Sequence, residues 1–220
     1  MNKTLTTLFA LAVASVTALS HAQDAKGDVE AGKKKIAMCI GCHGIPGYQG
    51  SFPEVYKVPM ISGQGAKYIT ASLEAYRKGE RKHPTMRGVA TSLTDQDIAD
   101  MSAYYEQHGK TSVELPAKPS REPSVEVAAL LTKGACVSCH GDNFAKPIDP
   151  SYPKLAGQHS DYLFVALKSY KQEKSSVVGR GNAIMGGVAK QFTNAELKAL
   201  AGYIGSLDGD LHTVPQSRFR

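Results

Sequence analysis

The sequence has no cysteine to spare, no long apolar run and no strand-like alternation. All four cysteines fall within two short motifs, so no thiol is left for any other use. The longest apolar stretch, Leu8 to Leu19, falls short of the ~18 residues needed to cross a bilayer. No other segment is long or apolar enough to span one. No segment alternates apolar and polar residues convincingly, which leaves helices as the building material. The formal charge is only +6, and the one local basic cluster is Lys33-Lys34-Lys35. That run suits electrostatic steering towards an acidic partner, but reads first as a solvated helix face.

Against these absences stand Cys39-Ile40-Gly41-Cys42-His43 and Cys136-Val137-Ser138-Cys139-His140. The C-x-x-C-H spacing places two thiols to add to the vinyl groups of one porphyrin, and then an imidazole to bind its iron. A disulfide in each half gives no reason for a histidine after each pair. A thioredoxin-like motif expects a strand before it, and neither flank reads as one. A shared four-cysteine zinc site would have to join two distant motifs and leave both histidines as spectators. The expectation is therefore two covalently attached haem c groups, held by Cys39 and Cys42 and by Cys136 and Cys139. Their propionates offset the positive charge, which removes the case for nucleic acid as a partner.

The amino terminus reads as a secretory signal. Lys3 supplies the charge, Leu8 to Leu19 the apolar core, and Ser20-His21-Ala22 the small residues of a cleavage site. A leader over residues 1–22 implies export, and with haem attachment it points to a bacterial periplasm.

The two motifs belong to a longer repeat. Gly63-Gln64 with Tyr68, Leu73 and Tyr76 matches Gly157-Gln158 with Tyr162, Leu167 and Tyr170 without a gap. Met86 to Tyr104 matches Met185 to Tyr203 in the same way. Pro116, Pro119 and Pro123 stiffen the stretch between the copies towards an extended spacer. This predicts domains over 23–118 and 119–220. Each should be helical. Asp28 to Met38 and Val125 to Gly134 are expected to lead into the motifs, with further helices over Ala66 to Lys78 and Asp161 to Lys171. Thr94-x-x-Asp97 and Thr193-x-x-Glu196 read as capping boxes opening the last helix of each half.

His43 and His140 are the expected proximal iron ligands. A carrier needs a strong sixth ligand, and a thioether both closes the iron and favours its ferrous state. Met185 is the only methionine after His140, and Met86 aligns with it; both are expected in glycine-rich loops. Met60 is the rival for the first iron, but it aligns with Lys154 rather than with a methionine, and Met101 aligns with Leu200 and reads as core. His83 has no counterpart before Met185 and reads as a loop residue, and His108, His159 and His212 carry no ligand signature. Tyr68, Tyr76, Tyr162 and Tyr170 suit propionate hydrogen bonds or helix packing.

On the C-x-x-C-H pairs, Pro153-Lys154-Leu155-Ala156-Gly157-Gln158, the basic helix end before Arg81 and Met-Gly-Gly-Val-Ala at Met185, the chain resembles the cytochrome c4 family. These are tandem class I cytochrome c domains, all-α, each enclosing one haem. The resemblance implies a periplasmic electron carrier taking electrons from a quinol-oxidising complex and passing them to a terminal oxidase. It leaves room for peripheral membrane association. It also implies that the first and last helices of each half cross, and that the carbonyls of Pro59 and Pro153 accept the proximal histidines' N–H. The first half departs from the pattern, with a longer stretch from His43 to Gln64 than from His140 to Gln158. The alternative is the cytochrome subunit of a dehydrogenase, such as a flavin-dependent sulfide-oxidising enzyme. Nothing in this chain suggests its own catalytic site.

Overall fold

The computed structural model describes residues 25–110, 114–172 and 174–216, so the expected leader over 1–22 lies outside the described residues. The first half opens with α1 (Val29–Lys35), capped by Asp28, whose carboxylate accepts the Ala31 N–H at 2.7 Å. The single helix expected to Met38 is broken at Ile36, and α2 (Ala37–His43) carries the first motif. Ile36 and Ile40 both lie in the core. There follow α3 (Ala66–Lys78), stopped by Gly79 in the left-handed region at φ 77°, α4 (Pro84–Thr91) and α5 (Asp95–Gln107). The Thr94–Asp97 capping box forms as expected.

The second half repeats this order as α6 (Val125–Lys133), α7 (Val137–His140), α8 (Ser160–Ser169), α9 (Ala183–Lys190) and α10 (Asn194–Gly205). The Thr193–Glu196 box opens α10. In the first half α1 crosses α5 so closely that a Cβ on Gly32 would lie 2.1 Å from the Asp100 carbonyl oxygen. Asp100 is buried at the crossing, where it accepts the Asp28 N–H at 2.8 Å and pairs with Lys35 at 2.7 Å. Lys35 also reaches Asp97 at 2.8 Å. Lys35 therefore leaves the basic run, and only Lys33 and Lys34 stay exposed. Ile36, Ile40, Ile69, Met101, Tyr104 and Tyr105 form the first core. Phe144, Leu163, Ala201 and Ile204 anchor the second, beside a smaller cluster of Phe192, Leu197 and Leu200.

Among the described residues four two-residue strands are present where none was expected, each too short to show a period of two. β1 (Gln49–Gly50) and β2 (Tyr56–Lys57) form a hairpin that takes up the extra length between His43 and Gln64. β3 (Arg81–Lys82) and β4 (Gly179–Arg180) pair antiparallel across the two halves, with Arg81 opposite Arg180. The proline-bearing connection is tied to the second half. Pro116 accepts from Asn143 at 2.7 Å, Arg121 from the Tyr203 hydroxyl at 2.8 Å, and Leu115 packs on the second core. At the carboxyl end the chain returns to the first half, where the His212 N–H donates to the Ser62 carbonyl at 3.0 Å.

Candidate haem sites

Helix α2 presents Cys39, Cys42 and His43 on successive turns. The His43 ring donates from Nδ1 to the Pro59 carbonyl at 2.8 Å. A carbonyl can only accept, so the proton sits on Nδ1 and Nε2 keeps its lone pair. Burial pushes the His43 pKa down, which holds the ring neutral as a ligand must be. Cys42, His43, Met60, Met86 and Met101 line one cavity of about 370 Å³. Burial pushes the Cys39 thiol up to about 11, against the opposing effect of the Tyr105 hydroxyl beside it.

The second site is built alike on a shorter helix. Cys136 stands just before α7, which carries Cys139 and His140. The His140 Nδ1 lies 3.3 Å from the Pro153 carbonyl, and burial lowers its pKa as well. Burial likewise raises the Cys136 thiol.

Neither Met86 nor Met185 lies in a loop. Each is the third residue of a short helix, α4 or α9, and its N–H donates to the residue capping that helix. The acceptor is His83 Nδ1 at 3.3 Å in the first half and Asn182 Oδ1 at 2.9 Å in the second. His83, expected as a loop residue, is thus a helix cap, with its Nε2 3.0 Å from the Tyr56 hydroxyl. The caps, together with Pro84 at the first turn of α4, start helices that the glycines alone would not suggest. Both methionines are half-buried. Met101 is buried in the first core although it reaches the cavity wall. Met60 follows the carbonyl that holds His43 and lines the same cavity as Met86.

The halves meet at a group that the sequence reading largely missed. Arg81 donates to Ser72 at 2.8 Å, to Tyr68 at 3.3 Å and to Tyr162 at 2.8 Å, and lies over the Tyr76 ring at 4.7 Å. Arg180 donates to the same Tyr162 hydroxyl at 3.1 Å and stacks near Tyr170 at 5.4 Å. Burial alone would raise the Tyr162 pKa, but the two guanidiniums bring it down to about 8. Among the described residues neither arginine has a carboxylate partner, and Arg81 Nε is buried with no acceptor. Half-buried cations without anions fit a ligand that brings its own carboxylates, as haem does with its propionates. Two thiols, a neutral oriented imidazole and this cationic wall make the residues fit haem c. The available signal was positional, because each arginine stands at the same offset ahead of its methionine.

The profile of the cytochrome c family matches residues 29–108 and 124–208. Cytochrome c4 of Stutzerimonas stutzeri is 32% identical over 219 residues, covering 94% of this chain and 100% of that protein. The reduced recombinant cytochrome c4 structure from Pseudomonas stutzeri aligns with a TM-score of 0.58 at 28% identity, covering 83% of this chain and 100% of that one. Thiosulfate dehydrogenase from Marichromatium purpuratum aligns with a TM-score of 0.59 at 29% identity, over 82% of this chain and 40% of that one. Matched in both halves and along its length, the chain belongs to the cytochrome c4 family, with two tandem cytochrome c domains that each bind one covalent haem c.

Proposed function

We propose that this dihaem electron carrier works in the periplasm, after loss of a leader over 1–22, between a quinol-oxidising complex and a terminal oxidase. Cys39 and Cys42 hold the first haem in a domain spanning 23–118, and Cys136 and Cys139 the second in a domain spanning 119–220. Bound there, each haem supplies a one-electron ferric–ferrous couple. His43 and Met86 close the first iron, and His140 and Met185 the second. The observation that carries this reading is the His43–Pro59 bond of 2.8 Å, which leaves the Nε2 lone pair free at a cavity that Met86 also lines. Met60 aligns with Lys154 in the repeat, whereas Met86 has a counterpart in Met185, which argues for Met86 as the ligand. Thioether sulfur favours ferrous iron and blocks substrate, as a carrier requires. Around the first motif Met38, Ile45, Tyr48 and Val55 are exposed, an apolar rim suited to weak, short-lived docking.

A second reading, a cytochrome subunit passing electrons out of a dehydrogenase, rests on the likeness to a thiosulfate dehydrogenase chain. Optical titration separates the sites' chemistry. Two haems by pyridine haemochrome are expected, with a far-red methionine–iron band that falls by about half in Met86→Ala and again by half in Met185→Ala. A site that lacks the band and takes up carbon monoxide would be open, and would favour an enzyme.

A further inference from the structure

Two glutamines at equivalent positions of the repeat cross from one half into the other. The Gln158 amide accepts the Met60 N–H at Oε1 (3.0 Å) and donates from Nε2 to the Met60 carbonyl (2.9 Å). Gln64 does the same to Lys154, accepting its N–H at 3.0 Å and donating to its carbonyl at 3.0 Å. Each Oε1 also accepts the N–H of the residue that follows its own glutamine, at 3.0 Å, so its orientation is set. Both side chains are buried, at 4% exposure.

The N–H taken by Gln158 belongs to the peptide unit whose carbonyl, Pro59, accepts from His43. One amide plane therefore links His43 of the first half to Gln158 of the second. The mirror chain runs from His140 through the Pro153–Lys154 peptide to Gln64. Hydrogen bonds at the two ends of one amide polarise each other: an acceptor on the N–H makes the carbonyl a better acceptor. A stronger acceptor on Nδ1–H makes the imidazole more basic and favours ferric iron.

We infer that Gln158 tunes the first haem and Gln64 the second, each as a positioning residue acting across the domain junction through the peptide that holds the opposite proximal histidine. This rests on His43 and His140 being the iron ligands. It makes docking of the halves part of each iron's environment, so that the potential of one haem reports on the domain that carries the other.

The test is a spectroelectrochemical titration of the full-length holoprotein, with the haems distinguished by the NMR signals of their axial ligands. Gln158→Leu should raise the midpoint of the first haem and leave the second unmoved, and Gln64→Leu should do the reverse. The ring Nδ1–H signal of His43 in the ferrous protein should move upfield in Gln158→Leu, as expected for a weaker hydrogen bond. Gln158→Asn keeps the amide but withdraws it by one methylene. It should give a smaller shift of the same sign, and it stands in if the leucine variant does not fold. Midpoints that move together, or a glutamine that moves only its own domain's haem, overturn the inference while histidine ligation stays intact. A first haem lacking histidine ligation in the wild type overturns the ligand assignment and this inference with it.

Discussion

Arg81 and Arg180 are register partners across the β3–β4 pair, so two cations face each other on the strands that join the halves. Like charges opposite one another destabilise a bare sheet, and the tyrosine hydroxyl they share is only partial compensation. The propionates supply the missing anions on the reading given above. Arg81→Leu should therefore lower the haem midpoints, since uncompensated negative charge favours ferric iron. Potentiometric titration of the variant at constant ionic strength checks this, and an unchanged or raised midpoint overturns it.

The α1–α5 crossing sets a second expectation. Gly32→Ala places a methyl group against the Asp100 backbone and should cost on the order of 3 kcal/mol or more in urea unfolding. Gly202 in α10 meets nothing within 4 Å. There the same change should stabilise by about 0.5–1 kcal/mol, through helix propensity alone.

The same crossing is acid-sensitive. Lys35, with the Thr94 hydroxyl and N–H, holds the Asp97 carboxyl well below the ordinary range. Burial alone would push Asp100 up, but Lys35, the Asp28 N–H and Gln96 hold it below its ordinary value. A carboxyl depressed in the fold stabilises it above the unfolded value near 3.8 and loses that contribution as pH falls through the lower folded values. Stability should thus fall with acid below about pH 3.8. Asp100→Asn should reduce stability at neutral pH and flatten the acid slope, measured by denaturant midpoints across pH.

Thr94→Ala and Thr193→Ala each remove the hydroxyl of a capping box. Each should cost about 1 kcal/mol. Thermal melts of the two variants read the two halves in turn.

What the sequence made legible was whatever has a local chemical signature. The haem motifs need only five adjacent residues, and the capping boxes four. Helix α3 was readable to both ends, because a run of helix formers stops at Gly79. The break at Ile36 was not, since nothing in an isoleucine ends a helix. β3 and β4 are invisible locally, being two residues each and paired only when the halves meet. Gln64 and Gln158 were visible as a repeat, yet their role lies in the opposite half. Arg180 shares with Arg81 only its offset from a methionine, and its role appears when the fold sets it beside Tyr162.

The junction between the halves has the logic of an isologous interface written into one chain. Gln64 meets Lys154 as Gln158 meets Met60, and Arg81 meets Arg180 at the axis. Each half therefore offers a face complementary to one built like itself, which is how two-fold homodimers assemble. A single half released from the other would carry that face uncovered, ready for a second copy.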